Sequence, residues 1–226
     1  MAGATQSVFA VVDQGSATLS PWSVSKGKRA FDITMSAIGL VLILPLMLLI
    51  ALAIKTTSSG PVLFRQVRAG RHGVNFELLK FRTMRNAPGP CLTRKGDQRV
   101  TAVGRVLRRT KLDELPQLFN VLVGDMTFVG PRPDLPQYWS TLPGRYSAIK
   151  QLRPGITGCA SLTFSNEENL LASVPEGNLD EYYVVKHLPR KVQIDLDYAT
   201  RASFSSDLRV LWATVTGLGR GSLKIS

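Results

Sequence analysis

Cysteine and histidine are almost missing from this sequence, whose 226 residues contain only Cys91, Cys159, His72 and His187. The cysteines stand sixty-eight positions apart with no C-x-x-C pair, which excludes a disulfide framework and a thiolate zinc site and fits a reducing compartment. Two scattered histidines argue against a His-clustered metal centre, so acid, base and nucleophile work falls to carboxylates, lysines or tyrosines. Also missing are a G-x-x-x-x-G-K-[ST] phosphate loop and a dinucleotide G-x-G-x-x-G between strand and helix, which excludes the ATPase and dehydrogenase classes built on them. Acids are scarce: between Lys55 and Lys111 there are fourteen Lys or Arg against Glu77 and Asp97 alone. The whole chain carries a net charge of +12, which draws polyanions such as nucleic acid, anionic lipid or phosphorylated substrates.

Charge vanishes altogether across ITMSAIGLVLILPLMLLIALAI, the twenty-two residues at 33–54. Such a run is long enough to cross a hydrocarbon layer of about 30 Å as a helix. Both flanks are basic, with Lys26, Lys28 and Arg29 before it and Lys55, Arg65, Arg68 and Arg71 after it. Positive residues favour the cytoplasmic side, so a straight crossing would leave one cluster outside. Pro45 removes a backbone hydrogen bond and clashes with the preceding turn, which predicts a sharp bend. Together these features favour a re-entrant, Pro-kinked membrane helix hairpin over 26–55. Residues 1–25, small and polar without helical period, predict a flexible leader, and 56–226 one further domain.

In that domain VLFRQVR (62–68) and FELLKFRTM (76–84) flank a turn containing Gly70 and Gly73, which predicts a small β-hairpin. A loop is expected over 86–98 and a helical start at 104–107. Two amphipathic helices are expected over 184–198 and 207–218; for the second, with Trp212 on one face, the lipid interface and ordinary core packing remain equal alternatives. The fold class is α+β, mainly α.

The densest chemistry lies in RRTKLDELPQLFN, 108–120. Proline is tolerated in a helix's first turn, so Pro116 predicts a helix starting at about Leu112 or Asp113. Asp113 then sits at or near the N-cap, where the helix dipole and Arg108, Arg109 and Lys111 favour an ionised carboxylate and hence a nucleophile toward phosphorus. A plain helix cap explains the same spacing. GDMTFVGPRP (124–133) and RPGITG (153–158) put Arg132 and Arg153 on stiff turns, where a guanidinium fork suits phosphate oxygens.

KRAFD (28–32), the Pro-interrupted apolar run, LLKFRTM (78–84), LDELPQLFNVLVGDMTFVGPRP (112–133) and RPGITG resemble, in order and spacing, the bacterial sugar transferases called monotopic phosphoglycosyl transferases, in their short catalytic-core form. The resemblance covers roughly residues 26–218. It implies a Mg²⁺-dependent exchange in which Asp113 attacks the β-phosphorus of a UDP-sugar, UMP leaves, and polyprenyl (undecaprenyl) phosphate takes the sugar phosphate from the enzyme. Glu114 is then the Mg²⁺ ligand, and Arg108, Arg132 and Arg153, with Lys80 a weaker candidate, hold phosphates. It further implies the bacterial inner membrane, an anionic bilayer as partner, a catalytic domain on the cytoplasmic face, and a first step of polysaccharide assembly. After RPGITG the chain departs from the family's GWAQ-like continuation and reads CASLTFSNEENLLA, where Glu167 and Glu168 are read as loop residues in preference to sugar contacts. Few aromatics interleave with the basic residues and no recognition helix is present, so no nucleic acid partner is expected. A scaffold without turnover is the remaining rival, and a homo-oligomer is left open.

Overall fold

The apolar run folds as α1 (Lys26–Thr57), started by the Ser25 side chain, which accepts the Lys28 N–H at 2.9 Å. The computed structural model describes residues 17–85 and 97–217, so most of the expected leader and loop, and Leu218, lie outside the described residues. α1 runs on through Pro45 as one helix, and the two arms of the expected hairpin are not separate elements. One proline forfeits one hydrogen bond, whereas opening an apolar helix would leave several backbone groups without partners. Both ends of α1 nevertheless rest on the same domain. Near the start Arg29 donates to the carbonyls of Val121 and Leu122 (2.6 and 2.8 Å), and Asp32 accepts from Thr127 Oγ1 at 2.8 Å. Near the end Ile50 and Ile54 are buried with Phe81 and Leu107. Between these contacts Val41, Leu42, Leu48 and Leu49 are 62–74% exposed, an apolar middle with no protein cover.

From Ser20 onward the end of the expected leader is tied to the domain. Ser20 N–H and Ser23 Oγ both donate to the Ala199 carbonyl at 2.9 Å, and the Trp22 indole N–H donates to Asp207 at 2.8 Å. An indole with a buried acceptor docks where polarity alone suggested freedom.

The expected hairpin forms from β1 (Leu63–Ala69) and β2 (Asn75–Phe81), antiparallel with Gln66 opposite Leu78. α2 (Ala102–Thr110) starts from a Thr101 cap slightly before the expected position. It passes so close to the end of the hairpin that a Cβ on Gly104 would sit 2.0 Å from the Thr83 carbonyl oxygen, so only glycine fits. α3 (Gln117–Val123) leads into β3 (Thr127–Val129), which pairs in parallel with β4 (Gly155–Thr157). The short helices α4 (Pro136–Trp139), α5 (Cys159–Thr163), α6 (Glu167–Ala172) and α7 (Leu179–Tyr182) precede the long α8 (Leu188–Arg201) and α9 (Phe204–Thr216).

The largest apolar cluster joins Tyr138, Trp139, Ile149, Tyr183, Leu188 and Leu196, so α4, α8 and the segments between them form one core. α9 has two apolar faces with different fates. Val210 and Ala213 are buried, whereas Phe204, Leu208, Trp212 and Val215 form an outer stripe at helical spacing, with Val215 84% exposed. Core packing and an exposed apolar face are therefore both present, on opposite sides.

Candidate active site

α2 ends at Lys111, a non-glycine residue in the left-handed region (φ 60°). That reversal starts a separate 3₁₀ turn, Leu112–Glu114, and α3 begins only after Pro116, which occupies its N-cap position. The helix therefore starts later than the proline rule predicts, and Asp113 is not its cap. Asp113 is instead buried at 7% exposure, with Oδ1 lacking any hydrogen-bond partner among the described residues. Burial pushes the Asp113 carboxyl above its usual range, although Lys80, Lys111 and Arg108 pull the other way. The helix end is therefore not what acts on this carboxyl: dehydration sets the direction of its shift against the neighbouring cations.

Glu114 has the opposite environment. Its Oε1 accepts from Lys80 Nζ at 2.9 Å and from Arg132 Nη2 at 2.8 Å. Burial raises its carboxyl, but Arg132 and Lys80 together outweigh that and hold it well below the usual carboxylate range. Burial also lowers Lys80, against the attraction of Glu114. Adjacent acids thus differ: one is clamped by two cations, the other dehydrated and without a partner at Oδ1.

Three elements converge to make this cluster, and Asn120 joins two of them. Its side-chain oxygen accepts the Leu79 N–H at 3.0 Å and its amide donates to the Glu77 carbonyl at 2.8 Å, which locks α3 to β2. Lys80 shares a strand face with Leu78, which packs on Val121 and Met126, so the lysine extends beside the turn that carries Glu114. Arg132 comes from the turn after β3, stiffened by Pro131 and Pro133. Arg108, in the last turn of α2, is close enough to act on Asp113 electrostatically.

Arg153 is not brought to the acids. It donates Nε to the Gly124 carbonyl at 2.9 Å, at the far end of α3, roughly 10 Å of helix from Asp113. Glu167 is not a solvated loop residue either: its Oε1 bonds His187 Nε2 at 2.9 Å and accepts from Lys191 at 3.2 Å. Burial pushes that carboxyl up, but the His187 bond and Lys191 bring it down to about 2. The Glu168 side chain lies outside the described residues.

Behind Arg132 lies a polar network that the motifs did not reveal. The Tyr183 hydroxyl donates to Asp134 at 2.6 Å and accepts from Lys191 at 2.9 Å. Asp195 accepts the Ala160 N–H at 2.9 Å and the backbone N–H of Arg132, which pins the arginine's turn to α8. Burial pushes Asp195 up to about 7. Polar residues inside an amphipathic helix pattern were the only available signal, and they read equally as its solvent face.

The profile of the family described as "Bacterial sugar transferase" matches residues 23–221. This chain belongs to the bacterial sugar transferase family. The transferase is 40% identical over 202 residues to a protein of Caulobacter vibrioides named UDP-glucose:undecaprenyl-phosphate glucose-1-phosphate transferase, covering 87% of this chain and 71% of that protein. It is 38% identical over 195 residues to an Escherichia coli K12 protein of the same name, covering 83% of this chain and 39% of that one. In Aeromonas hydrophila, a UDP-N-acetylgalactosamine-undecaprenyl-phosphate N-acetylgalactosaminephosphotransferase is 44% identical over 142 residues, 60% of this chain and 33% of that protein. The transferase thus spans most of the first relative and under half of the other two.

Proposed function

We propose that this transferase moves a sugar 1-phosphate from a UDP-sugar to undecaprenyl phosphate through a covalent intermediate on Asp113. The observation that carries the reading is Asp113 itself, a buried carboxylate with an unpartnered oxygen beside Lys80, Lys111 and Arg108. Such a group is poorly solvated and therefore reactive once ionised, and bound cations and phosphates would reach it with little competing water. An Asp113 oxygen bonds the β-phosphorus while the bond from that phosphorus to the bridging oxygen breaks, and UMP leaves with the electron pair. A phosphate oxygen of the lipid then attacks the same phosphorus, and Asp113 departs as carboxylate. The product is an undecaprenyl diphosphate sugar. The relatives' names support the donor and acceptor classes, and because they carry either glucose or N-acetylgalactosamine, both belong in the donor panel.

Magnesium fits the residues present. Among the described residues no group of three or more His, Cys, Asp or Glu side chains converges, so a cage made by protein alone is not available. Mg²⁺ ordinarily uses one or two carboxylates and completes its shell with water and substrate phosphates. Both cations on Glu114 bind Oε1, so Glu114 Oε2 and Asp113 Oδ1 are the oxygens that would hold it. Bound there, the ion would offset the diphosphate charge and stabilise departing UMP. Arg132 and Lys80 keep Glu114 ionised for that role.

Membrane insertion without crossing is part of the same proposal. Both ends of α1 pack on one domain while its apolar middle is uncovered, which supports insertion and return on a single face, here the cytoplasmic face of the inner membrane. Purified transferase in nanodiscs, given Mg²⁺, undecaprenyl phosphate and a panel of UDP-sugars, should release UMP with at least one donor. Without the lipid, intact-mass analysis should find one phosphosugar added to the chain. Asp113→Asn should lose both signals, by about a thousandfold or more in rate. Turnover that survives in Asp113→Asn would overturn the assignment.

A further inference from the structure

On the other side of the Gly130–Pro133 turn lies an open cleft, and none of Lys80, Asp113, Glu114 and Arg132 lines it. Its walls carry four cations, Lys28, Arg29, Arg71 and Arg153, and three carboxylates, Asp32, Asp195 and Asp207. Lys28 is neutralised by an ion pair with Asp207. None of the three arginines has a carboxylate within ion-pair distance among the described residues, although the cleft is part of a folded core. Their mutual repulsion is felt: burial lowers Arg153, and Arg71 and Arg29 lower it further, with Asp32 acting in the opposite direction.

The three guanidiniums are anchored differently. Arg29 uses both terminal nitrogens to cap the carbonyls of Val121 and Leu122 at the end of α3. Arg71 and Arg153 are each fixed only through Nε, to the Gln151 carbonyl at 2.8 Å and the Gly124 carbonyl at 2.9 Å. Their terminal nitrogens have no partner among the described residues and are not sealed from solvent. Two forks held by Nε, with open ends and a third positive charge behind them, are prepared for a tetrahedral anion. The cleft also lies at the start of α1, where Ile33, Met35 and Ile38 begin the exposed apolar surface.

We propose that Arg71 and Arg153 form a second anion site that holds the phosphate of an anionic membrane lipid, whose chains lie along α1. The inference rests on the membrane placement of α1 argued above and not on the covalent step. Native mass spectrometry of the full chain with phosphatidylglycerol or phosphatidylcholine tests it. The wild type should retain one phosphatidylglycerol in preference to phosphatidylcholine, because choline meets the same cations. Arg71→Gln should weaken retention by about fivefold, near the contribution of one basic residue at a lipid surface. Arg153→Lys, which keeps the charge and removes the fork, should also weaken it. An unchanged melting midpoint in detergent would show that the variants fold.

Equal retention of the two lipids, or undiminished retention by both variants, overturns the proposal. Competition assigns the source of the phosphate. Displacement by undecaprenyl phosphate identifies the acceptor lipid, resistance to it identifies bulk phospholipid, and displacement by millimolar inorganic phosphate alone overturns the lipid assignment. Asp113→Asn should keep the bound lipid, so failure of the transfer reaction and failure of this site give separate results.

Discussion

Two cations share one oxygen of Glu114, and its neighbour Asp113 has an oxygen with none. Removing one of the two cations leaves Glu114 paired with Arg132 alone, which costs less than the about 3–5 kcal/mol of a buried charge left with no partner. Lys80→Met should therefore cut the UMP release rate by at least about tenfold and lower the melting midpoint, while Lys80→Arg should restore part of both. Asp195 offers a pH test. Its carboxyl lies near 7 in the fold against an ordinary aspartate value of 3.8, so the native state binds the extra proton between those values. Stability from this group is full at low pH, falls as pH rises through about 7, and stays low above it. The groups facing it are Lys191, Asp134 and the backbone N–H groups of Ala160 and Arg132. Asp195→Asn should melt near the wild type at about pH 4 and roughly 9 to 17 °C higher at about pH 8, at ~2–4 °C per kcal/mol for a chain of this size. A wild-type advantage at the higher pH would contradict the buried, costly charge.

α1 is the element whose sequence and structure differ most instructively. Pro45 predicted a sharp bend and α1 is assigned as one helix through it, while the charge symmetry that also argued for a re-entrant path has a structural counterpart in the contacts at both ends. Val24→Cys and Ser59→Cys, placed singly in a cysteine-free background, should both resist a membrane-impermeant thiol reagent in intact cells and both react after permeabilisation. One labelled and one protected end would mean that α1 crosses. At α3 the prediction missed because proline rules report local tolerance only. The left-handed Lys111 reverses the chain before the helix can start, and nothing in the composition of RRTKLDELPQ marks that residue for φ 60°.

Across the whole molecule the exposed apolar middle of α1 and the outer stripe of α9 are the large uncovered apolar features among the described residues. A bilayer interface is the natural partner for the α9 stripe in a chain carrying a net charge of +12. Trp212→Glu combined with Val215→Glu should reduce the membrane-bound fraction in a flotation assay by several-fold, with UMP release in detergent kept within about twofold, since both side chains point away from the core. Loss of detergent activity together with membrane binding would instead assign α9 a structural role at the site.

The sequence by itself determined the elements whose signals are local: an apolar run too long for an ordinary soluble helix, a hairpin with glycines in its turn, an acidic pair behind a basic run, and arginines flanked by proline. These sufficed to recognise the family and to single out Asp113, Glu114, Arg132 and Lys80, which the fold brings together. How the charges pair depends on packing between distant elements. Arg132 and Arg153 look alike as motifs, yet β3–β4 pairing and the length of α3 send one to Glu114 and the other to Gly124. Asn120, Asp195 and the Glu167–His187–Lys191 group are polar residues whose partners come from distant elements that only the fold brings near. The pKa directions follow the same division, because desolvation depends on what packs around a carboxylate and sequence spacing carries no measure of it.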